Sequence, residues 1–438
     1  MSPIRRPVAQ HVPEAAARPV CEAASEPFLA AAPEPVVRAA PARRDPALDG
    51  LRGLAVLLVY LFHYGGGNQS THRVTRLFGY VSQAGWIGVE LFFALSGFLI
   101  TGLLWPDLER NTGLANVRRG AAIRSFYARR ARRIVPVYAL ALLAAAVVAM
   151  LSVATRATEA PSSIWPNPAE PLLVYLSFLQ NVPAFVATAL RFPPPLPLHH
   201  LWTVAVEVQF YLIWPVLLLL ARTRGRAIQV CGGTFLLACV FRAIVFWPDR
   251  HVPGTVPDWS PFLLTRIGAL ALGSALALLE PAQLIRSVRR WAVPMLLLSS
   301  ALFCTTGRFF HNLLLAQAGQ FLVSLPLAEI ACTALLALAL QPGSWRTVLK
   351  ARLLCFLGRI SYGFYVFHVL LEPGFDQIGA AICHAHTGTG YLLVRFVVAF
   401  PVSAAVAWVS FQFFEQPILR WRWSPRNLPT LAPCAQTR

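Results

Sequence analysis

The chain has 438 residues, of which 56% are hydrophobic and 13% charged, and its formal net charge is +19. A water-soluble domain carries roughly twice that charged fraction, so a soluble fold is excluded and an all-α integral membrane protein with several spans is expected. The arginines cluster between apolar runs, as positive-inside topology requires, and no recognition helix, zinc finger or aromatic RNA platform is present, so no nucleic-acid partner is expected.

Residues 1–45 are rich in Ala, Pro, Arg and Glu without apolar periodicity and read as a disordered cytoplasmic tail. The start "MSPIRRPVAQ" is basic, but no apolar h-region follows it, so the first hydrophobic run is expected to be a retained helix. Ten apolar runs follow, at about 51–66, 84–105, 134–153, 199–221, 227–247, 262–280, 291–306, 313–340, 353–372 and 390–413, each near the roughly 20 residues of a spanning helix. A shorter run at 171–182 leads into "PPPLP" and is expected to be re-entrant or interfacial. With ten spans, Arg43/Arg44, the arginines from Arg110 to Arg133, and the clusters Arg222/Arg224/Arg226, Arg286/Arg289/Arg290, Arg346/Lys350/Arg352 and Arg420/Arg422 share one side. That side should be the cytoplasm, which puts both termini there. The expected layout is a tail at 1–45, a membrane domain at 46–423 and a short tail at 424–438 of a multi-pass protein of the inner (plasma) membrane.

The first run, "LDGLRGLAVLLVYLFHYGGG", carries Arg52 near one end and His63 near the other. Eleven residues at about 100° each bring the two onto one face, about 16 Å apart along the axis, or half the hydrocarbon thickness. A histidine there can serve as general base or nucleophile, or as a core histidine bonded to a neighbouring helix. The second run, "GWIGVELFFALSGFLITGLL", holds Glu90 and the small pair Ser96-Gly97. No G-x-S-x-G elbow is present, and the small pair is expected to be a helix-packing patch. In "FYARRARRIVP", Arg129, Arg130, Arg132 and Arg133 either grip phosphates or anchor topology, and Pro136 suits a first helical turn.

Further on, "LHHLWTVAVEVQFYLIWP" holds His199, His200 and Glu207, with Tyr211 one turn after Glu207, while Trp202 and Trp214 suit an interface. A buried Glu207 needs a partner, His63 or an arginine. In "LGRISYGFYVFHVLLEP", Ser361, Tyr365, His368 and Glu372 form one polar stripe. The eight cysteines are scattered with no C-x-x-C spacing, and "CHAH" at Cys383–His386 reads as a polar loop, so no metal is expected. Ionisable residues within spans are costly and face an interior or a wet cavity. Converging His, Glu, Arg and Tyr therefore imply a transport pathway or an intramembrane active site. The lack of an internal repeat argues against inverted-repeat transporters.

The segments "LDGLRGLAVLLVYLFHY", "GVELFFALSGFLIT", "FYARRARRIVP", "HLWTVAVEVQFYLIWP", "ISYGFYVFHVLL" and "VSFQFFEQPILR" resemble, in order, those of the acyltransferase-3 family of integral membrane O-acyltransferases, over about residues 45–420. The resemblance implies ten helices, an Arg-x10-His motif at Arg52 and His63, a cytoplasmic Arg-x-x-Arg at Arg130 and Arg133 with Arg129 beside it, and the family's glutamate at Glu207. Departures are Glu90 where Asp is frequent, Val208 where a second acid is frequent, and Gly268 where the usual "RFDAL" segment has its acid, with Arg266 kept. No hydrolase-like domain follows the last run, so a second transfer outside the membrane is expected to need another protein.

The expected reaction moves an acyl group, acetyl in the first instance, from cytoplasmic acyl-CoA to a hydroxyl of an envelope glycan or lipid-linked saccharide. His63, Glu207 and Arg52 are the expected catalytic residues. Arg129, Arg130 and Arg133 are expected to hold the donor's phosphates, and Glu90, Tyr211, Tyr365 and His368 are candidate substrate-binding residues. The partners are then acyl-CoA (acetyl-CoA foremost), the carbohydrate acceptor and membrane lipids. A transporter of an envelope precursor or acyl donor, an enzyme acylating a small secondary metabolite, and a non-catalytic envelope scaffold are the alternatives.

Overall fold

The computed structural model describes residues 45–66, 73–109, 115–155, 169–183, 197–246, 259–279, 293–302 and 319–420, which are helical with no strand among them. In chain order the helices are α1 (Pro46–Tyr64), α2 (Arg73–Gln83) running through a 3-10 turn into α3 (Ile87–Glu109), α4 (Ala115–Thr155), α5 (Ala169–Leu176), α6 (Trp202–Ala221) and α7 (Arg224–Val245). Then come α8 (Leu263–Leu278), α9 (Val293–Leu302), α10 (Leu325–Ala339), α11 (Ser344–Leu349), α12 (Arg352–Leu370), α13 (Glu372–Cys383), α14 (Thr389–Ser410) and α15 (Gln416–Arg420). Eight helical stretches among the described residues are long and apolar enough to cross a membrane. The shorter apolar helices α8 and α9 fall at the sixth and seventh expected runs. The expected tail at 1–45, apart from Asp45, the expected tail at 424–438, residues 421–423 of the expected membrane domain and the cluster Arg286/Arg289/Arg290 lie outside the described residues.

The start of α1 is set locally. Asp45 caps it by accepting from the Ala47 amide at 3.0 Å, and Pro46 fills a first-turn position that needs no donor. Arg346, from α11, clamps the same carboxylate with two bonds of 3.1 Å. Small residues then bring helices into contact through their backbones. A Cβ on Gly53 would stand 2.1 Å from the Leu354 carbonyl oxygen of α12, and one on Gly358 would stand 1.7 Å from the Asp49 carbonyl oxygen of α1. The pair α3 and α8 repeats this, with Gly97 against Leu270 and Gly273 against Ala94. Close approach of this kind replaces the hydrophobic drive that helices lack in lipid. Gly97 thus does the packing expected of it. Ser96 does not: its hydroxyl points to Glu207.

The third span differs from expectation at its start. Its helix runs for 41 residues, so Pro136 lies inside α4, not in a first turn. Proline removes one backbone donor, but the Ala- and Arg-rich stretch before it has high helix propensity and carries the helix through. Arg130 and Arg133 therefore stand on a continuous helix face. The run at 171–182 forms the eight-residue α5, about 12 Å long, followed by a turn pinned within the bundle. Gln180 donates to the Tyr138 hydroxyl and the Leu201 carbonyl, and Asn181 and Gln209 exchange a reciprocal amide pair.

Candidate active site

Two cavities lie between the helices that carry the motifs. The first, of about 80 Å³, is a narrow slot walled by Arg52 of α1, Phe92 and Ser96 of α3, Arg130 and Arg133 of α4, Glu207 and Tyr211 of α6, and Tyr362 and Tyr365 of α12. The second, of about 310 Å³, is lined by Val59, Phe62 and His63 of α1 together with Trp86, His199, His200, Trp202, Ser260, Arg266 and Gln320. Val89 and Tyr365 line both, so the two cavities share these two wall residues. The arginines and the histidine of the sequence motif therefore open into different chambers.

In the slot, Arg52 pairs with Asp49 at 3.3 Å, one turn back on its own helix. The Arg130 guanidinium lies over the Tyr211 ring at 5.3 Å and the Phe126 ring at 5.8 Å, which fixes it by cation–π attraction. Arg130 and Arg133, three residues apart, share a face, and Arg129, four residues before Arg133, lies within about 40° of it, so phase alone does not separate the three. Arg129 is exposed, bonds Ser125 on its own helix and does not line the slot. Of the three arginines expected to hold phosphates, Arg130 and Arg133 line the slot, and Arg52 lines it with them.

Glu207 accepts from the Ser96 hydroxyl at 2.5 Å and the Tyr211 hydroxyl at 3.1 Å. The expected pairing of Glu207 with His63 is absent, because α6 presents Glu207 to the slot and His63 faces the other chamber. Tyr365 is locked at the junction: its hydroxyl donates to the His200 carbonyl at 2.8 Å and accepts from Thr203 at 2.7 Å.

His63 is half-buried, and its Nδ1 lies 2.9 Å from the Val59 carbonyl oxygen. A carbonyl only accepts, so Nδ1 carries the proton and the lone pair is on Nε2. His368 does not line either cavity; it is fully buried behind His63, with its Nε2 3.4 Å from the His63 Nδ1. Its expected substrate contact is therefore replaced by a contact to His63. His200 holds its Nε2 3.1 Å from the Val366 carbonyl oxygen, which leaves Nδ1 buried with no hydrogen-bond partner.

Glu90 is another reassignment. It is fully buried, lines neither cavity and pairs with Arg266 at 3.0 Å. Arg266 reaches the second cavity, held by the Ser260 carbonyl at 2.7 Å and stacked 5.0 Å from the Trp202 ring. Beside this pair, Arg242 binds both oxygens of Glu329 and donates to the Thr265 carbonyl. A Cβ on Gly268 would stand 2.4 Å from the Glu329 carboxylate oxygens. The acid missing at position 268 is thus matched by a carboxylate from α10 that occupies the vacated space. Arg242, Glu329 and Gln320 have no motif to announce them, Ser96 was visible only as part of a packing patch, and the adjacent His199 and His200 were visible without a role.

Among the described residues, no three or more His, Cys, Asp or Glu side chains gather as a metal site. The slot offers guanidinium groups to an anion. The second chamber offers an imidazole lone pair and polar groups framed by indoles. The two differ in chemistry and stand on either side of Val89 and Tyr365.

A family model described as an acyltransferase domain matches residues 45–411. A putative peptidoglycan O-acetyltransferase of Bacillus subtilis is 28% identical over 393 residues, covering 85% of this chain and 54% of the relative. A peptidoglycan O-acetyltransferase of Listeria monocytogenes is 28% identical over 395 residues, covering 85% and 55%. An O-acetyltransferase of Staphylococcus aureus is 23% identical over 392 residues, covering 85% and 57%. The chain thus spans little more than half the length of these curated relatives. No solved structure matches.

Proposed function

The chain belongs to the acyltransferase-3 family, and we propose that it moves an acetyl or similar acyl group from cytoplasmic acyl-CoA to a hydroxyl of an envelope glycan or its lipid-linked precursor, within the inner membrane. The observation that carries this reading is the pair of neighbouring cavities with a common wall at Val89 and Tyr365, one lined by Arg52, Arg130 and Arg133 and the other by His63. Guanidinium forks bind phosphate oxygens by paired, charge-assisted hydrogen bonds. The slot entrance then holds the donor's phosphates on the cytoplasmic side, and its narrow bore suits the pantetheine arm. The thioester reaches the second chamber past Tyr365 and Val89.

In that chamber the acceptor hydroxyl meets His63. The Nε2 lone pair takes the hydroxyl proton as the oxygen attacks the thioester carbon, the C–S bond breaks, and the CoA thiolate receives the proton. The same lone pair serves if the acyl group rests first on the ring. In that route Nε2 displaces the thiolate, the acceptor oxygen then breaks the C–N bond, and its proton goes to sulfur. Glu207 holds Ser96 and Tyr211 in the slot wall and so shapes the donor channel, not the base. The open Nδ1 of His200, with Gln320 and Arg266, supplies hydrogen-bonding groups for a hydroxyl-rich ring. The names of the relatives favour a cell-wall polysaccharide as acceptor. The test is proton NMR of envelope polysaccharide from cells with and without the protein. Loss of O-acyl signals without it, and their return with wild type but not with His63→Ala, is expected; unchanged O-acylation contradicts the reading.

A further inference from the structure

We propose that His368 is a positioning residue for acyl transfer: it accepts a hydrogen bond from the Nδ1–H of His63 and thereby aims the His63 Nε2 lone pair into the chamber. The inference rests on the reading of His63 as the reactive group.

The geometry is over-determined on the His368 side. Its Nδ1 lies 2.7 Å from the Tyr365 carbonyl oxygen and 3.1 Å from that of Phe364, so Nδ1 must be the protonated nitrogen. In the neutral ring Nε2 is then a bare acceptor, and the atom it faces, at 3.4 Å, is the His63 Nδ1. The rings meet edge-on at 88°, with centroids 4.9 Å apart, the arrangement of a hydrogen bond and not of a stack. The ring cannot turn away. His368 is fully buried, its own carbonyl accepts from the Tyr64 hydroxyl at 2.5 Å, and the Phe364 ring stacks against it.

The consequence is directional. The His63 Nδ1–H faces two acceptors, the Val59 carbonyl and the His368 Nε2. When Nε2 takes up a proton or an acyl group, the ring becomes cationic and both bonds strengthen. A neutral imidazole here does what a carboxylate does for a catalytic histidine in water-filled sites, without placing a second charge in the membrane. A histidine that merely filled the core would be satisfied by its backbone carbonyls, and its Nε2 could face anything.

The test needs no knowledge of the acceptor. Full-length protein in detergent is treated with diethyl pyrocarbonate, which acylates a free imidazole lone pair, and carbethoxylation of His63 is followed by peptide mass spectrometry. Wild type is compared with His368→Phe, His368→Gln and His368→Asn. Glutamine keeps an acceptor where Nε2 stands; asparagine reaches only as far as Nδ1. The expected result is a His63 rate about tenfold slower in the Phe and Asn variants, as loss of one such bond implies, and near wild type in the Gln variant. Acetyl-CoA binding is expected to be unchanged throughout. Equal His63 rates in wild type and His368→Phe would overturn the inference. So would equally slow rates in the Gln, Asn and Phe variants with a lowered melting temperature, which would mark a packing role. An unreactive His63 in wild type would instead overturn the reading of His63 itself.

Discussion

Two groups of charged side chains sit inside the helical bundle, and they are built in opposite ways. Glu90, Arg266, Glu329 and Arg242 form a closed set, with two carboxylates matched to two guanidinium groups and all but Arg266 withdrawn from any cavity. Arg52, Arg130 and Arg133 stand around Glu207 in an open slot, three cations to one anion among the residues that line it. The closed set ties α3, α7, α8 and α10 together and holds Arg266 at the edge of the second chamber. The open set turns its guanidinium groups to the wall of a cavity, with Arg52 also paired to Asp49. The two sets thus differ in what they face: the closed one mostly its own members, the open one a space.

That contrast can be broken at several points. The largest effect is expected at His63, where His63→Ala should lower acyl transfer by about 10²–10⁴-fold, the usual range for a general base, measured in membranes at matched expression. Next, Arg242→Met strands the Glu329 carboxylate and should cost about 3–5 kcal/mol of stability. The melting temperature in detergent reads this loss. The paired change Arg242→Met with Glu329→Leu should recover most of it, because the set is structural. In the open set, Arg133→Ala should raise the KM for acetyl-CoA about tenfold, through loss of a charge-assisted contact, and leave the melting temperature unchanged. Arg129→Ala, one residue away from Arg130 but exposed, should change KM by less than about twofold, as exposed charges do. A comparable loss at Arg129 and Arg133 would erase the distinction drawn from exposure and slot lining.

Much of this was legible in the linear chain. The apolar runs marked the helices because spanning length is imposed by the bilayer, and the step from Arg52 to His63 carried its own geometry. What could not be read was which residues meet across helices. His368 lies about three hundred positions from His63, and the two meet because α1 and α12 pack closely, through backbone contacts at Gly53 and Gly358 and through buried side chains such as Tyr60 and Phe364. Glu207 was expected at His63 because both are ionisable and both lie in spans, but depth along a helix decides the partner, and Glu207 lies at the level of Ser96 and the arginines. Arg129 was grouped with its neighbours by adjacency; helical phase keeps it within about 40° of Arg133, and its exposure and absence from the slot wall set it apart. Gly268 looked like a lost acid; the acid was supplied by Glu329, sixty-one positions later, in space that only glycine leaves open.

The central claim is a division of labour: the arginine slot binds the donor and the histidine chamber reacts it. The most direct measurement sets acetyl-CoA binding by titration calorimetry beside single-turnover transfer of radiolabelled acetyl groups, in wild type, Arg130→Ala/Arg133→Ala and His63→Ala. The account predicts that the arginine pair loses binding by at least about tenfold, while His63→Ala binds acetyl-CoA as wild type does and transfers nothing. Donor binding that falls with His63→Ala and survives the loss of both arginines would contradict it.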